Sequence, residues 1–222
     1  MGFVPGGQME AQEWIALLQR HRAIAVIRAP TLALGIDLAE AVAAGGIRLI
    51  EITWTSDCPA ALITHLRNGL SHCCIGAGTL LHASDMEAAI AAGAQFGFMP
   101  HTQPELMQIA QAQGIPAIPG ALTPTEIVTA WQAGAPAVKV FPVTALGGAA
   151  YLRQLQGPLG HIPLIPTGGV TAANASFFLA AGAIGLGVST TLFPQVAVEA
   201  EDWAAITQRT RDFLASALSI ND

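Results

Sequence analysis

The chain has 222 residues and a net charge of −6, and it is 52% hydrophobic but only 11% charged. That length suits one domain with a substantial core, and an acidic chain without a basic patch excludes nucleic acid as a partner. Gly, Pro or polar residues interrupt every apolar run before the ~18–20 residues of a membrane span, and MGFVPGGQMEAQEW lacks the basic and apolar regions of a signal peptide, so a cytoplasmic protein without a membrane partner is expected.

In chain order, a short N-terminal extension with a helix takes up about residues 1–22. Short apolar runs then alternate with alanine-rich helical stretches, as in parallel α/β folds. The expected strands are 23–28 (AIAVIR), 47–53 (IRLIEIT), 73–79 (CCIGAGT), 95–100 (QFGFMP), 115–119 (IPAIP), 137–141 (AVKVF), 162–166 (IPLIP) and 183–188 (AIGLGV). Their near-continuous apolar character fits strands covered on both faces. Gly45, Gly93, Gly134 and Gly182 precede strands two, four, six and eight, where a left-handed glycine closes a helix. Helix starts are marked by Ser84-Asp85-x-Glu87, Thr123-Pro124-x-Glu126 and Thr171. The stretch 201–218 (EDWAAITQRTRDFLASAL) reads as an amphipathic last helix covering the barrel.

No linker or charge block divides residues 1–222, and eight units leave about 28 residues each, near the ~30 of a βα unit. The expected architecture is a single-domain (β/α)8 TIM barrel of the α/β class, with an open doubly wound sheet as the fallback. Cys58, Cys73 and Cys74 form no disulfide framework or metal spacing, and adjacent Cys73 and Cys74 face opposite ways as inert packing. The six histidines show no metal spacing, so no metal is expected. His101 after strand four and Trp54 after strand two lie where they could line a site, but a solvated loop histidine and lid packing explain them equally well.

In a barrel the site lies at the C-terminal strand ends. Lys139 is the only lysine among nine basic residues and stands inside the apolar run Ala137–Phe141. Alternation places Ala137, Lys139 and Phe141 on one face of their strand, and Leu49, Glu51 and Thr53 on one face of another. Arg28 ends strand one and Thr79 ends strand three, so four polar groups can converge on one mouth. Apolar surroundings disfavour a charged amine, and the free amine is the form that attacks a ketone. Glu51, the carboxylate embedded in a strand core, is the candidate proton shuttle. A buried Lys139–Glu51 ion pair with no catalytic task is the bland alternative.

Pro166-Thr167-Gly168-Gly169-Val170 and Gly185-Leu186-Gly187-Val188-Ser189 supply glycine-bearing loops after strands seven and eight, where barrels often bind phosphate. Either could instead be a tight turn. Gly76 and Gly78 are ambiguous, since relief of crowding inside the barrel explains them as well.

Taken with AVIRA, GGIRLIEIT, IGAGT, GAQFGFMP, IPG-LTPTE, VKVFP and PTGGV in this order, the sequence resembles the class I aldolases of 2-keto-3-deoxy-6-phosphogluconate (KDPG) and 4-hydroxy-2-oxoglutarate (KHG). The resemblance covers nearly the whole chain. It implies Lys139 as the Schiff-base lysine and Glu51 as general acid/base. Arg28, Thr79, Thr53 and Pro142 then lie around the keto acid, and Gly168, Gly169 and Ser189 around a substrate phosphate. It further implies a small keto-acid phosphate as substrate, no metal or other cofactor, and a homotrimer.

Two positions depart from the family pattern. Thr55 stands where many members carry the arginine that holds the keto-acid carboxylate, so Arg28 would supply that charge. The last loop reads Gly187-Val188-Ser189 where Gly-Gly-Ser is common. The implied reaction is reversible cleavage of KDPG to pyruvate and glyceraldehyde 3-phosphate. The 6-phosphogalactonate epimer, KHG, and a non-catalytic phosphosugar-binding barrel are the alternatives.

Overall fold

A computed structural model describes residues 9–218. The first eight residues of the expected N-terminal extension lie outside the described residues. The extension's helix, α1 (Ala11–His21), ends at Arg22, whose N–H donates to the Leu18 carbonyl at 2.7 Å. Trp14 and Leu18, one turn apart, share a face and are fully buried. They enter the barrel beside Ile24, Leu49, Cys74, Phe96, Phe98 and Ile165. The Trp14 ring lies 5.9 Å from that of Phe96 and 6.0 Å from that of Phe98. The helix therefore plugs the N-terminal end of the strands.

Emptying a buried tryptophan site costs about 3–5 kcal/mol. Trp14→Ala is expected to lower the unfolding free energy in urea by that amount. Trp14→Phe should lose far less, because the indole Nε1 has no hydrogen-bond partner among the described residues. Equal losses in the two variants would show that the cavity is not the cause.

The remaining elements alternate: β1 (Ala23–Ile27), α2 (Leu32–Ala44), β2 (Leu49–Thr53), α3 (Pro59–Gly69), β3 (Cys74–Gly78), α4 (Ala83–Ala91), β4 (Gly97–Phe98), α5 (Pro104–Ala112), β5 (Ala117–Ile118), β6 (Gly120–Ala121), α6 (Pro124–Gln132), β7 (Val138–Val140), a 3-10 turn (Val143–Leu146), α7 (Ala149–Leu159), β8 (Leu164–Pro166), α8 (Ala175–Ala180), β9 (Leu186–Val188), α9 (Gln195–Glu199) and α10 (Trp203–Leu218). Every strand pairing is parallel, in one six-stranded sheet (β5-β4-β3-β2-β1-β9) and one three-stranded sheet (β6-β7-β8). Isolated bridges, Leu164 with Ala183 and Thr167 with Gly187, close β8 onto the β9 segment. The expected barrel is formed.

The fifth expected strand runs on to Ala121 and is split at Pro119, which has no N–H for a ladder. Before the split, Met99 N–H donates to the Ile118 carbonyl (3.0 Å); after it, Lys139 N–H donates to the Pro119 carbonyl (2.9 Å). The chain thus changes sheets at that residue.

Side chains alternate as expected. Ala25, Ile27, Ile50, Ile52, Ile75, Val138 and Val140 pack outward under the helices, and the Trp14 cluster fills the interior. Cys73 joins the outer core and Cys74 the inner. Burial pushes both thiols up, that of Cys73 to about 11, which keeps them protonated and inert.

Three helix boundaries differ from expectation. The left-handed residue after α2 is Gly46 (φ 111°), not Gly45. A β-carbon at Gly45 would lie 2.5 Å from Thr210 Cβ, so this glycine admits α10 instead. α4 begins one residue earlier than Ser84, with the Asp85 carboxylate accepting from His82 N–H (3.1 Å). α8 begins at Ala175, after a turn in which the Asn174 side-chain oxygen accepts from Thr171 N–H (2.7 Å). Gly93, Gly134 and Gly182 do take positive φ. Thr123 and Glu126 cap α6 reciprocally, as their spacing predicts. The expected last helix is α10, whose buried Ile206, Thr210, Phe213 and Ala217 form one face packed toward α2 and α8.

Candidate active site

Lys139 lies between Val138 and Val140, which are drawn outward into the core under the helices, so its own side chain points into the barrel. It is 5% exposed. Its amine sits 5.6 Å from the Phe98 ring centroid and 5.1 Å from that of Phe141, on a seat of aromatic faces. Among the described residues the amine makes no hydrogen bond or direct ion pair, although its charge bears on Glu51.

Glu51, on β2, is 1% exposed. A β-carbon on Gly78 of the neighbouring strand would lie 1.7 Å from Glu51 Oε1 and 2.3 Å from Cδ. The carboxyl therefore occupies the space that the missing side chain leaves. Gly76 likewise makes room for the Phe96 ring, 2.4 Å from where its Cβ would stand. Crowding thus explains both glycines. Oε1 of Glu51 has no hydrogen-bond partner among the described residues. Burial pushes the carboxyl above the usual carboxylate range, while the positive charges of Lys139 and Arg28 act against that rise. Such a group holds a proton closer to neutrality and keeps an oxygen free to pass it on.

Arg28 is exposed just past the end of β1, and its charge is felt at Glu51. Thr53 is buried at the end of β2, sharing a hydrogen bond with the Ser56 hydroxyl (3.3 Å) and accepting from that of Thr55 (3.3 Å). Thr79 follows Gly78 with φ +58°, a costly conformation for a β-branched residue, of the kind that clusters at functional sites. Trp54 is half-buried, and its backbone N–H donates to the Gly78 carbonyl at 2.7 Å. Pro142 follows Phe141 through a cis peptide bond and precedes the 3-10 turn. His101 is exposed.

Past β8, Gly168 (φ 88°) and Gly169 (φ 82°) take conformations that glycine adopts without strain. The bridge from Thr167 to Gly187 brings this loop beside the one that holds exposed Ser189. Thr144 braces the first loop: its hydroxyl donates to the Gly168 carbonyl (3.3 Å), and a β-carbon on Gly169 would lie 2.5 Å from its Cγ2. Three further residues shape the site without being marked as site residues by the sequence pattern: alternation in QFGFMP is the one signal for Phe98, while Thr144 and Ser56 act through distant backbone and leave no local signal.

Among the described residues no group of three or more His, Cys, Asp or Glu is placed to hold a metal, and no helix is long and apolar enough to cross a membrane. A cleft of about 220 Å³ opens between α1, α5 and α6 at the opposite end of the barrel. Among the described residues it holds none of these groups, and Glu10 is its one titratable lining residue.

Residues 15–209 match the family model described as KDPG and KHG aldolase. The chain is 31% identical over 202 residues to the KHG/KDPG aldolase of Escherichia coli strain K12, covering 91% of this chain and 95% of that one. It is 34% identical over 179 residues to the 2-dehydro-3-deoxy-phosphogluconate aldolase of Pseudomonas aeruginosa, covering 81% of each. Among solved structures, the KDPG aldolase of Legionella pneumophila, with pyruvate captured as a covalent carbinolamine, superposes with a TM-score of 0.84. That match has 28% identity and covers 92% of this chain and 98% of the other.

Proposed function

The chain belongs to the KDPG and KHG aldolase family, and we propose that it reversibly cleaves KDPG to pyruvate and glyceraldehyde 3-phosphate through an imine on Lys139. As a member of a family of aldolases it is a carbon–carbon lyase. The observation that carries the mechanism is the seat of Lys139, a sole lysine buried over two aromatic rings with no direct ion-pair partner among the described residues. The carbinolamine in the Legionella relative supports the same reading.

The amine adds to the C2 ketone of the substrate and water leaves, giving an iminium. Loss of the C4 hydroxyl proton breaks the C3–C4 bond, and its electron pair moves into the iminium to give an enamine, releasing the aldehyde. Protonation at C3 and hydrolysis then release pyruvate and the free amine. Glu51 carries the protons. Arg28, Thr79, Thr53 and Pro142 surround the keto acid, and Gly168, Gly169 and Ser189 take the phosphate. The scheme uses no metal or other cofactor. A homotrimer in the cytoplasm, with its charge-poor surface partly buried between subunits, completes the proposal.

The first test is intact mass after pyruvate and borohydride. One reduced pyruvate is expected on the wild type and none on Lys139→Ala. No adduct, under conditions that trap a known lysine aldolase, would shift the reading to a non-catalytic phosphosugar-binding barrel. The double name of the E. coli relative favours KHG as a second substrate. Cleavage rates for KDPG, its 6-phosphogalactonate epimer and KHG, measured side by side, rank the three.

A further inference from the structure

The loop after β2, Trp54 to Cys58, carries no basic residue, and Asp57 is its only charged one. If a keto-acid carboxylate is held near Glu51, the cation must come from elsewhere. Besides Lys139, Arg28 is the basic residue whose charge bears on Glu51. A guanidinium on an exposed strand end holds a carboxylate well only if its backbone is fixed.

Arg28's neighbour is fixed on both sides. The N–H of Ala29 donates to the Ser56 hydroxyl at 3.1 Å, and its carbonyl accepts from Asp57 N–H at 2.9 Å. The Ser56 hydroxyl in turn shares a hydrogen bond with that of Thr53, 3.3 Å away, at the end of the strand that carries Glu51. Ala29, Ser56 and Thr53 are all buried. Two loops that meet nowhere in sequence are thus clipped through one serine oxygen.

We propose that Ser56 is a positioning residue for the keto-acid carboxylate: by clipping Ala29 to the β2 strand end it holds Arg28 at a set offset from Glu51. In this way the chain makes good the cation that Thr55 does not supply. The inference rests on the proposed imine chemistry and on Arg28 as the carboxylate's partner.

The test is a double-mutant cycle on the rate of borohydride trapping against pyruvate concentration, with wild type, Ser56→Ala, Arg28→Met and the double variant. Ser56→Ala is expected to raise half-saturating pyruvate about 5–10-fold, the scale of one buried hydrogen bond. The saturated trapping rate should stay within about twofold of wild type. Arg28→Met should raise half-saturation at least as much, and Ser56→Ala should add nothing to it.

An unchanged half-saturation in Ser56→Ala overturns the proposal. So does a parallel loss of the saturated rate, which marks a merely structural serine, or independent multiplication of the two effects. If Arg28→Met alone changes nothing, the positioning role falls while the imine stands. If the wild type is not trapped at all, the imine reading itself falls.

Discussion

Lys139→Ala is expected to lower kcat/KM for KDPG cleavage on the order of 10⁴-fold or more, with the fold retained. No other lysine can substitute, because the chain has none. Lys139→Arg should be equally inactive, since a guanidinium does not deprotonate in proteins and cannot attack a ketone. Stability separates loss of chemistry from loss of structure. Among the described residues the amine rests on Phe98 and Phe141 without a direct ion pair, so alanine removes a buried cation and breaks no salt bridge, while Glu51 loses a positive charge that opposes the rise of its carboxyl. Steady-state cleavage and thermal unfolding, run on the same preparations, check both halves. Retention of more than a few per cent of wild-type activity would end the Schiff-base mechanism.

Glu51→Gln is expected to lower kcat about 10²–10⁴-fold, the usual contribution of a positioned acid/base. The amide keeps the shape, so the loss reports the proton. Burial lifts this carboxyl above the usual carboxylate range, against Lys139 and Arg28. The folded chain therefore binds the Glu51 proton more tightly than the unfolded chain does. Its contribution to stability is full below the unfolded pKa and falls as pH rises toward the folded one. Glu51→Gln should thus be slower yet at least as stable at neutral pH, with a flatter stability profile above the usual carboxylate range. The rate limb due to Glu51 should vanish from its pH profile. Thermal unfolding and kcat across pH measure these outcomes, and an unchanged kcat would remove Glu51 from proton transfer.

The strands were legible because both-face burial writes itself as apolar runs, and Lys139 stood out as one cation in such a run. The sequence pattern ends a strand at Pro119, yet the chain continues through it and only the hydrogen-bond partner changes. The sequence pattern puts the helix end at Gly45, whereas the left-handed residue is Gly46, because a helix end and a close approach of α10 both call for glycine. Gly78 stayed ambiguous for a similar reason: what excludes its side chain is Glu51 on the next strand, 27 positions away. Nothing local in the N-terminal helix marks Trp14 as the residue whose face enters the barrel. Burial patterns are local, whereas clips, plugs and vacated volumes belong to pairs of segments, and one sequence does not name the partner.

The split at Pro119 bears on how a bound substrate would act on the molecule as a whole. Lys139 belongs to the three-stranded sheet, while Glu51 and the strand leading to Arg28 belong to the six-stranded one. The sheets meet through a proline and through isolated bridges. A keto acid bound as proposed would have its imine carbon fastened to one sheet and its carboxylate to the other, so it would work as a removable cross-link. Melting temperature would then report occupancy, because a reversible ligand at a hundred times its Kd adds about 2.7 kcal/mol. Reduction with borohydride would make the end on Lys139 permanent, leaving a stabilisation that survives dilution.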